Sequence, residues 1–283
     1  MRQDAPQTPA VVFGGSIKGD RSEQQDSFRT IWLKAEQAWL LLVTDGMGGH
    51  AAGGVASKVA ADTFVASFIA ARRAEPSLEK VLQLALEEAN CQIQAQQQAS
   101  PELAGMGTTL VAVHIRRDRL CWISVGDSPL WALREGRLSR LNKDHSLRSL
   151  VGAAGTSRGN LLLSALNGEP IVEIDCQSQP NTLAPGDSLI LASDGLLTLT
   201  EEEIVRAVLP RSGAEGMVRA LLEQVQYRAK PHQDNCTAIA YTAPMQPSQQ
   251  TKRSSSGLSR TTAIWMVIAG LALIAILSRL WRI

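Results

Sequence analysis

Short apolar runs separated by Gly-, Asp- and Asn-rich breaks dominate the chain, and two long stretches carry a helical spacing instead. The runs predict strands over 11–16, 27–33 and 38–44. Two helices follow, over 51–73 with Val55, Val59, Phe64, Phe68 and Ile69 as its apolar face, and over 78–97 with Leu82, Leu86, Ala89 and Ile93. Strands resume at 108–115, 120–125 and 129–134, punctuated by turns at Arg116-Arg117-Asp118 and Glu135-Gly136-Arg137. Further strands are expected over 171–176, 188–193 and 236–241, with helices over 201–208 and 213–229 between the last two. Helix pairs thus interrupt a meandering β pattern without regular βαβ alternation. That pattern predicts an α+β fold, an antiparallel β-sandwich flanked by helices, over a doubly wound parallel sheet. No fixed-period repeat is present.

The pattern changes after residue 243. Residues 244–260 are rich in Pro, Gln, Ser and Thr and read as a flexible linker. Ala263 to Leu277 is then apolar on every face, Lys252, Arg253 and Arg260 precede it, Arg279 and Arg282 follow, and Trp265 and Trp281 mark its ends. This predicts one C-terminal transmembrane helix over 261–280, a single-pass tail anchor. The excess of cations before it places the preceding domain, residues 8–243, in the cytoplasm. The polar N-terminus lacks the apolar core of a signal peptide.

Composition narrows the function classes. A net charge of +1 argues against a nucleic-acid surface. The four cysteines, Cys91, Cys121, Cys176 and Cys236, form no CxxC pair, which argues against a zinc site or a disulfide framework and for a reducing compartment.

Candidate chemistry lies at the ends of the apolar runs. Two strands finish alike, in Thr44-Asp45-Gly46 and Ser193-Asp194-Gly195, and a third stops at Gly126-Asp127-Ser128. Carboxylates at the ends of buried strands are costly unless a positive charge meets them, and hard oxygen ligands suit Mg²⁺ or Mn²⁺. Taken singly, each Asp-Gly also reads as an ordinary turn or helix cap, and Asp234-Asn235 as an Asx turn. Arg21, five residues before Asp26, is placed to grip a phosphate, or to form a surface ion pair.

Taken together, Arg21-Ser22-Glu23-Gln24-Gln25-Asp26, Asp45-Gly46-Met47-Gly48-Gly49-His50, Gly105-Met106-Gly107-Thr108-Thr109, Gly126-Asp127-Ser128, Asp144-His145-Ser146, Ser193-Asp194-Gly195 and Asp234-Asn235 occur in one order. In these the chain resembles the metal-dependent Ser/Thr protein phosphatases of the PPM (type 2C) class, from about Gly14 to Tyr241. The resemblance implies an α-β-β-α sandwich and two Mn²⁺ or Mg²⁺ ions per site, with a weaker third in bacterial members. It assigns Asp45, Asp194 and Asp234 to the metals directly, with Asp45 bridging, and adds the Gly46 carbonyl. It assigns Asp26 to a metal through water, Asp127 to the third metal and Arg21 to the substrate phosphate. The implied reaction is hydrolysis of phosphoserine and phosphothreonine in proteins by a metal-activated water. The implied partners are phosphorylated proteins and a cognate Ser/Thr kinase or its substrates, met at the membrane. The other readings are a phosphoprotein-binding scaffold and a regulatory phosphatase dedicated to one partner protein.

The chain departs from the family pattern in several places. Gln24 and Gln25 replace an Asn and an acidic residue. Met47 stands where many eukaryotic members have a histidine proposed as general acid, Pro129 where an Arg often follows, and Ser164 where a Thr-Arg pair is common. His50 and His145 read as structural residues at helix starts. The Gly- and Ala-rich stretch 148–163 corresponds to the family's flap beside the active site.

If residues 261–283 are the membrane attachment, deleting them moves the protein from the membrane pellet to the soluble fraction while hydrolysis of a phosphothreonine peptide continues. Retention of the truncated chain in the pellet would refute the anchor.

Overall fold

The computed structural model of the chain describes residues 11–48, 52–147 and 161–244. The chain divides into two units, residues 1–244 and 245–283. The second unit, with nearly all of the linker and the whole apolar segment, lies outside the described residues, as do Gly49, His50 and most of the expected flap.

Within the first unit, every strand pairing is antiparallel. One sheet holds β1 (Val12–Ile17), β11 (Cys236–Thr242), β10 (Ser188–Ala192), β7 (Leu130–Arg134) and β8 (Arg137–Arg140), in that order. The other runs β2 (Asp26–Leu33), β3 (Ala38–Met47), β5 (Leu110–Arg116), β6 (Arg119–Val125) and β9 (Asp175–Thr182), with the two-residue β4 (Gly107–Thr108) added to the end of β3.

The continuous apolar run of β3 has a direct cause. Leu41 and Val43 face the second sheet and meet Leu189, Leu191 and Ile239. Leu40 and Leu42 face outward and meet α1 (Ala52–Ala71) and α2 (Leu78–Ala99). Both faces of the strand are therefore covered. On the far side, α3 (Glu201–Val208) and α4 (Gly213–Arg228) cover the five-stranded sheet through Ile204, Met217, Val218 and Leu221. Thr200 and Glu203 form a reciprocal capping box at the start of α3. The result is the expected four-layer sandwich.

Three local expectations need correction. The buried face of α1 is carried by Ala56, Ala60 and Ala61 with Phe64 and Phe68, while Val55, Val59 and Ile69 are only partly covered. Small residues let the helix axis approach the sheet, so side-chain size misplaced the face. The strand expected over 171–176 lies instead at Asp175–Thr182, because Ile171 and Ile174 pack against the helical layer before the strand begins. β9 is an edge strand with a register shift opposite Leu120/Trp122, where a polar composition is tolerated. The edge strand β8 is likewise polar and alternately exposed, so its sequence carried little strand signal.

Among the described residues α1 alone is long and apolar enough to cross a membrane, but it packs in the core against α2 and β3.

His114, on β5, is 3% exposed and lies against the Phe68 ring, with centroids 5.8 Å apart. Its Nε2 makes no hydrogen bond, the Glu36 carboxylate being 3.5 Å away. Burial pushes its pKa down to about 4, against the attraction of Glu36. The unfolded chain therefore takes up this proton near pH ~6.5, whereas the folded chain resists it until about 4. Stability from this group is complete above pH ~6.5 and is lost as pH falls, by on the order of 3 kcal/mol. Urea midpoints measured from neutral pH down to the acid range should show a steeper acid decline for wild type than for His114→Leu. Parallel curves would show that His114 is not the group responsible.

Candidate active site

The ends of β3 and β10 and the start of β11 open into one pocket of about 610 Å³. Arg21, Asp45, Gly46, Asp127, Asp194 and Asp234 all line it. The sequence motifs that carry these residues are spread over more than two hundred positions, and the fold brings them together because the strands that precede or follow them end on one side. Asp26 does not line the pocket. It stands directly across from Asp45 in the β2–β3 ladder and is 8% exposed. Ser193 Oγ donates to its Oδ2 at 2.7 Å, while Oδ1 has no partner and no solvent.

The backbone around Asp45 is tightly fixed. Thr109 N and Thr108 Oγ1 both donate to the Asp45 carbonyl at 2.9 Å. The Asp45 amide donates to Thr109 Oγ1 at 3.1 Å, and that hydroxyl is 2.7 Å from Ser128 Oγ. The glycine of each Asp-Gly pair is required by a close backbone approach. A Cβ on Gly46 would come within 2.0 Å of the Gly53 carbonyl oxygen, and one on Gly195 within 2.0 Å of that of Asn235.

Three glutamine and asparagine side chains organise the site, and sequence reasoning gave none of them a role. Asn235 Nδ2 donates to the Lys18 and Glu23 carbonyls at 2.7 and 2.9 Å, and its Oδ1 accepts from the Gln25 amide at 2.8 Å. It thereby fixes the loop that carries Arg21. Gln24, noted above as a departure, accepts from the Asp26 amide at 2.9 Å and donates to the Ile17 carbonyl at 3.1 Å. Gln233 donates to the carbonyls of Gly195 and Asp234 at 3.2 and 3.1 Å, tying two site-bearing segments together. The one available signal was the adjacency of Gln233 and Asn235 to Asp234. His145 is structural, as expected, with Nδ1 accepting from the Gly126 amide at 3.2 Å. Ser164 exchanges hydrogen bonds with the Glu173 backbone at 2.8 and 3.0 Å, a loop-packing role.

The electrostatics are those of a site short of positive charge. Burial holds the Asp45 carboxyl well above the ordinary carboxylate range, and repulsion from Asp26, Asp194, Asp127 and Asp234 adds to the shift. Its side chain opens only toward the pocket. Burial likewise raises Asp26 to about 6, against the Ser193 hydrogen bond. Arg21 Nη2 donates to Asp234 Oδ2 at 2.6 Å, and this bond raises the guanidinium pKa. The pair is open to solvent, with the side chains 56% and 39% exposed.

The residues fit a hard divalent cation. The available donors are carboxylate and carbonyl oxygens, one of them a buried oxygen without a partner, and burial with the neighbouring carboxylates raises the pKa of Asp45 and Asp26. Among the described residues they do not form a closed ligand cluster, and Asp234 is engaged by Arg21.

Residues 14–230 match the family model for protein phosphatase 2C. The chain belongs to the protein phosphatase 2C family. It is a protein-serine/threonine phosphatase of that type. It is 34% identical over 181 residues to the serine/threonine phosphatase stp of Listeria monocytogenes, covering 60% of this chain and 71% of that protein. It is 32% identical over 213 residues to PstP of Mycobacterium tuberculosis, covering 71% of this chain and 40% of that longer protein. A solved PstP catalytic domain in complex with two manganese ions shares 30% identity and superposes with a TM-score of 0.67, over 82% of this chain and 97% of that one. The 2C-type sandwich expected from the motifs is therefore the fold.

Asn235→Ala removes three hydrogen bonds to the backbone of the Arg21 loop. It should lower unfolding free energy by about 2–4 kcal/mol and reduce turnover of a phosphopeptide. Asn235→Asp, which keeps the acceptor and loses the donors, should be intermediate or equal in cost. Wild-type denaturation and kinetics in both variants would show that the loop is held by other contacts.

Proposed function

We propose that the chain is a membrane-tethered phosphatase that removes phosphate from serine and threonine of proteins phosphorylated by a Ser/Thr kinase at the same membrane. The observation that carries the chemistry is the convergence of Asp45, Asp127, Asp194 and Asp234 on one pocket, with Asp26 behind them and Arg21 at the rim. The apolar segment 261–280 and its basic flanks support the tether and a cytoplasmic catalytic domain.

When bound, two Mn²⁺ or Mg²⁺ ions would supply Lewis acidity that acidifies a water and neutralises charge on the phosphoryl oxygens. Asp45 and Asp194, with Asp234 and the Gly46 carbonyl, would hold them. Asp26 would act from behind Asp45 through an ordered water, and Asp127 with Asp194 would serve a weaker third ion. Ser193 keeps Asp26 oriented by its 2.7 Å hydrogen bond. Arg21 would exchange Asp234 for the substrate phosphate, and its exposure leaves the side chain free to do so. Met47 lines the pocket and cannot move a proton, so no side chain at that position protonates the leaving serine or threonine oxygen. Cysteine takes no part, since Cys236 is buried with a thiol that burial holds far above its usual pKa.

Hydrolysis of a phosphothreonine peptide should require added Mn²⁺ or Mg²⁺ and stop in EDTA. Asp45→Ala and Asp194→Ala should each lower kcat by about a hundredfold or more, because charge stabilisation worth several kcal/mol is lost. The metal-free thermal midpoint of Asp45→Ala should be unchanged or raised, since a repelled buried carboxylate is removed. Full activity in EDTA, or wild-type rates in either variant, would overturn the assignment.

A further inference from the structure

The end of the sandwich remote from the acidic pocket carries the opposite charge. The β2–β3 turn presents Lys34, the β5–β6 hairpin presents Arg116, Arg117 and Arg119, and Arg73 follows the end of α1. Leu33, Ala38, Arg116, Arg119 and Thr182 are neighbours in register, so the hairpin cations stand in one row across the end of the six-stranded sheet. All five cations are exposed, and none forms an ion pair among the described residues. Nearby acids are already engaged, Glu36 by Arg72 at 3.1 Å and Asp187 by Arg134 at 2.9 Å, and Asp118 is the acid within the row. Beside the row, Trp32 is 44% exposed and tilts against Trp39 across the strand pair, with centroids 5.1 Å apart. Ile31, Leu33, Phe68 and Ile69 line an adjoining cleft of about 490 Å³.

The chain leaves the domain at this same end. Ala243 exchanges backbone hydrogen bonds with Asp187 and Gly186 at 2.8 and 3.1 Å. The same loop reaches the β5–β6 turn, where Leu183 N donates to the Asp118 carbonyl at 2.7 Å. Residues 244–260 continue from there toward the apolar segment.

We propose that this end is a contact face for an anionic phospholipid surface, which holds the domain on the bilayer with the acidic pocket turned away. Exposed tryptophan next to unpaired cations is the chemistry of a membrane interface, where the ring sits at headgroup level and the cations meet lipid phosphate. The inference rests on the membrane-tether reading for its strength: a linker of this length spans about 20–25 Å as a coil, so the patch meets lipid at high effective concentration. The rise of β3 from Ala38 to Asp45 sets the pocket about 24 Å from that face. A phosphoprotein then reaches the pocket from the aqueous side, clear of the anionic surface.

The test uses the full chain mixed with vesicles of phosphatidylcholine alone, or enriched in phosphatidylglycerol, with hydrogen exchange read at residues 32–37 and 115–119. Protection in anionic vesicles is expected, absent in neutral ones and lost between about 0.1 and 0.5 M salt. The combined Lys34→Glu, Arg116→Glu, Arg117→Glu and Arg119→Glu chain should lose that protection on anionic vesicles. It should hydrolyse a soluble phosphopeptide at the wild-type rate, which also reports that it is folded. Resistance to alkaline extraction separates the two ideas. Insertion without lipid-dependent protection overturns the contact face and leaves the anchor standing. Salt-sensitive binding to anionic vesicles without insertion supports the face while the anchor fails. Neither insertion nor binding overturns both, and equal protection on neutral vesicles overturns the electrostatic contact.

Discussion

Burial of the Asp26 and Asp45 carboxyls beside Asp127, Asp194 and Asp234 is the constraint on which the rest of this structure depends. Bringing carboxylates out of water costs several kcal/mol each, and gathering them adds Coulomb repulsion that the pKa shifts of Asp45 and Asp26 record. The sandwich bears that cost through its two sheets, whose apolar faces on both sides lock the strand ends in place. Threonine, serine and amide side chains then fix the backbone on either side of each carboxylate. The scaffold holds buried carboxylates together, and a cation with oxygen preference would offset their cost.

Much of this was legible in the sequence because the informative features are local. Apolar runs marked the central strands, and Leu82, Leu86, Ala89 and Ile93 marked the buried face of α2 as observed. The edge strands β8 and β9 escaped, because they bury little and tolerate polar residues. The face of α1 was marked only in part, by Phe64 and Phe68, because a close helix–sheet approach selects alanine, which carries no amphipathic signal. The aspartates at strand ends stood out. Their supports did not, since Gln24, Gln233 and Asn235 act through backbone groups far away in sequence, as in the contacts between Asn235 and the Lys18–Gln25 loop. An amide side chain in a loop looks the same whether it meets water or three backbone partners.

The two ends of the sandwich carry opposite charge, acidic at the pocket and basic at the hairpin turns. Strands that finish at the pocket begin or turn at the basic end, so one set of β-ladders fixes both surfaces and the direction between them. An acidic pocket placed beside an anionic bilayer would raise the local cost of admitting a phosphorylated segment. In the proposed membrane contact, cations and Trp32 at the opposite end would remove that conflict.

Arg21 shows how rigidity and freedom coexist at the rim. Its loop backbone is held by Asn235, and Asp20 accepts from the Gln233 amide at 3.1 Å, so the position of its Cα is set by the sheet. Its guanidinium, by contrast, bonds Asp234 in an ion pair more than a third exposed on both sides. Such exposed pairs are worth about 0–1 kcal/mol, so exchanging Asp234 for a dianionic phosphate costs little. In the proposed mechanism the same exchange would free Asp234 to turn toward the carboxylates behind it. In the proposed mechanism one arginine–aspartate contact would therefore couple substrate capture to completion of the oxygen-ligand set.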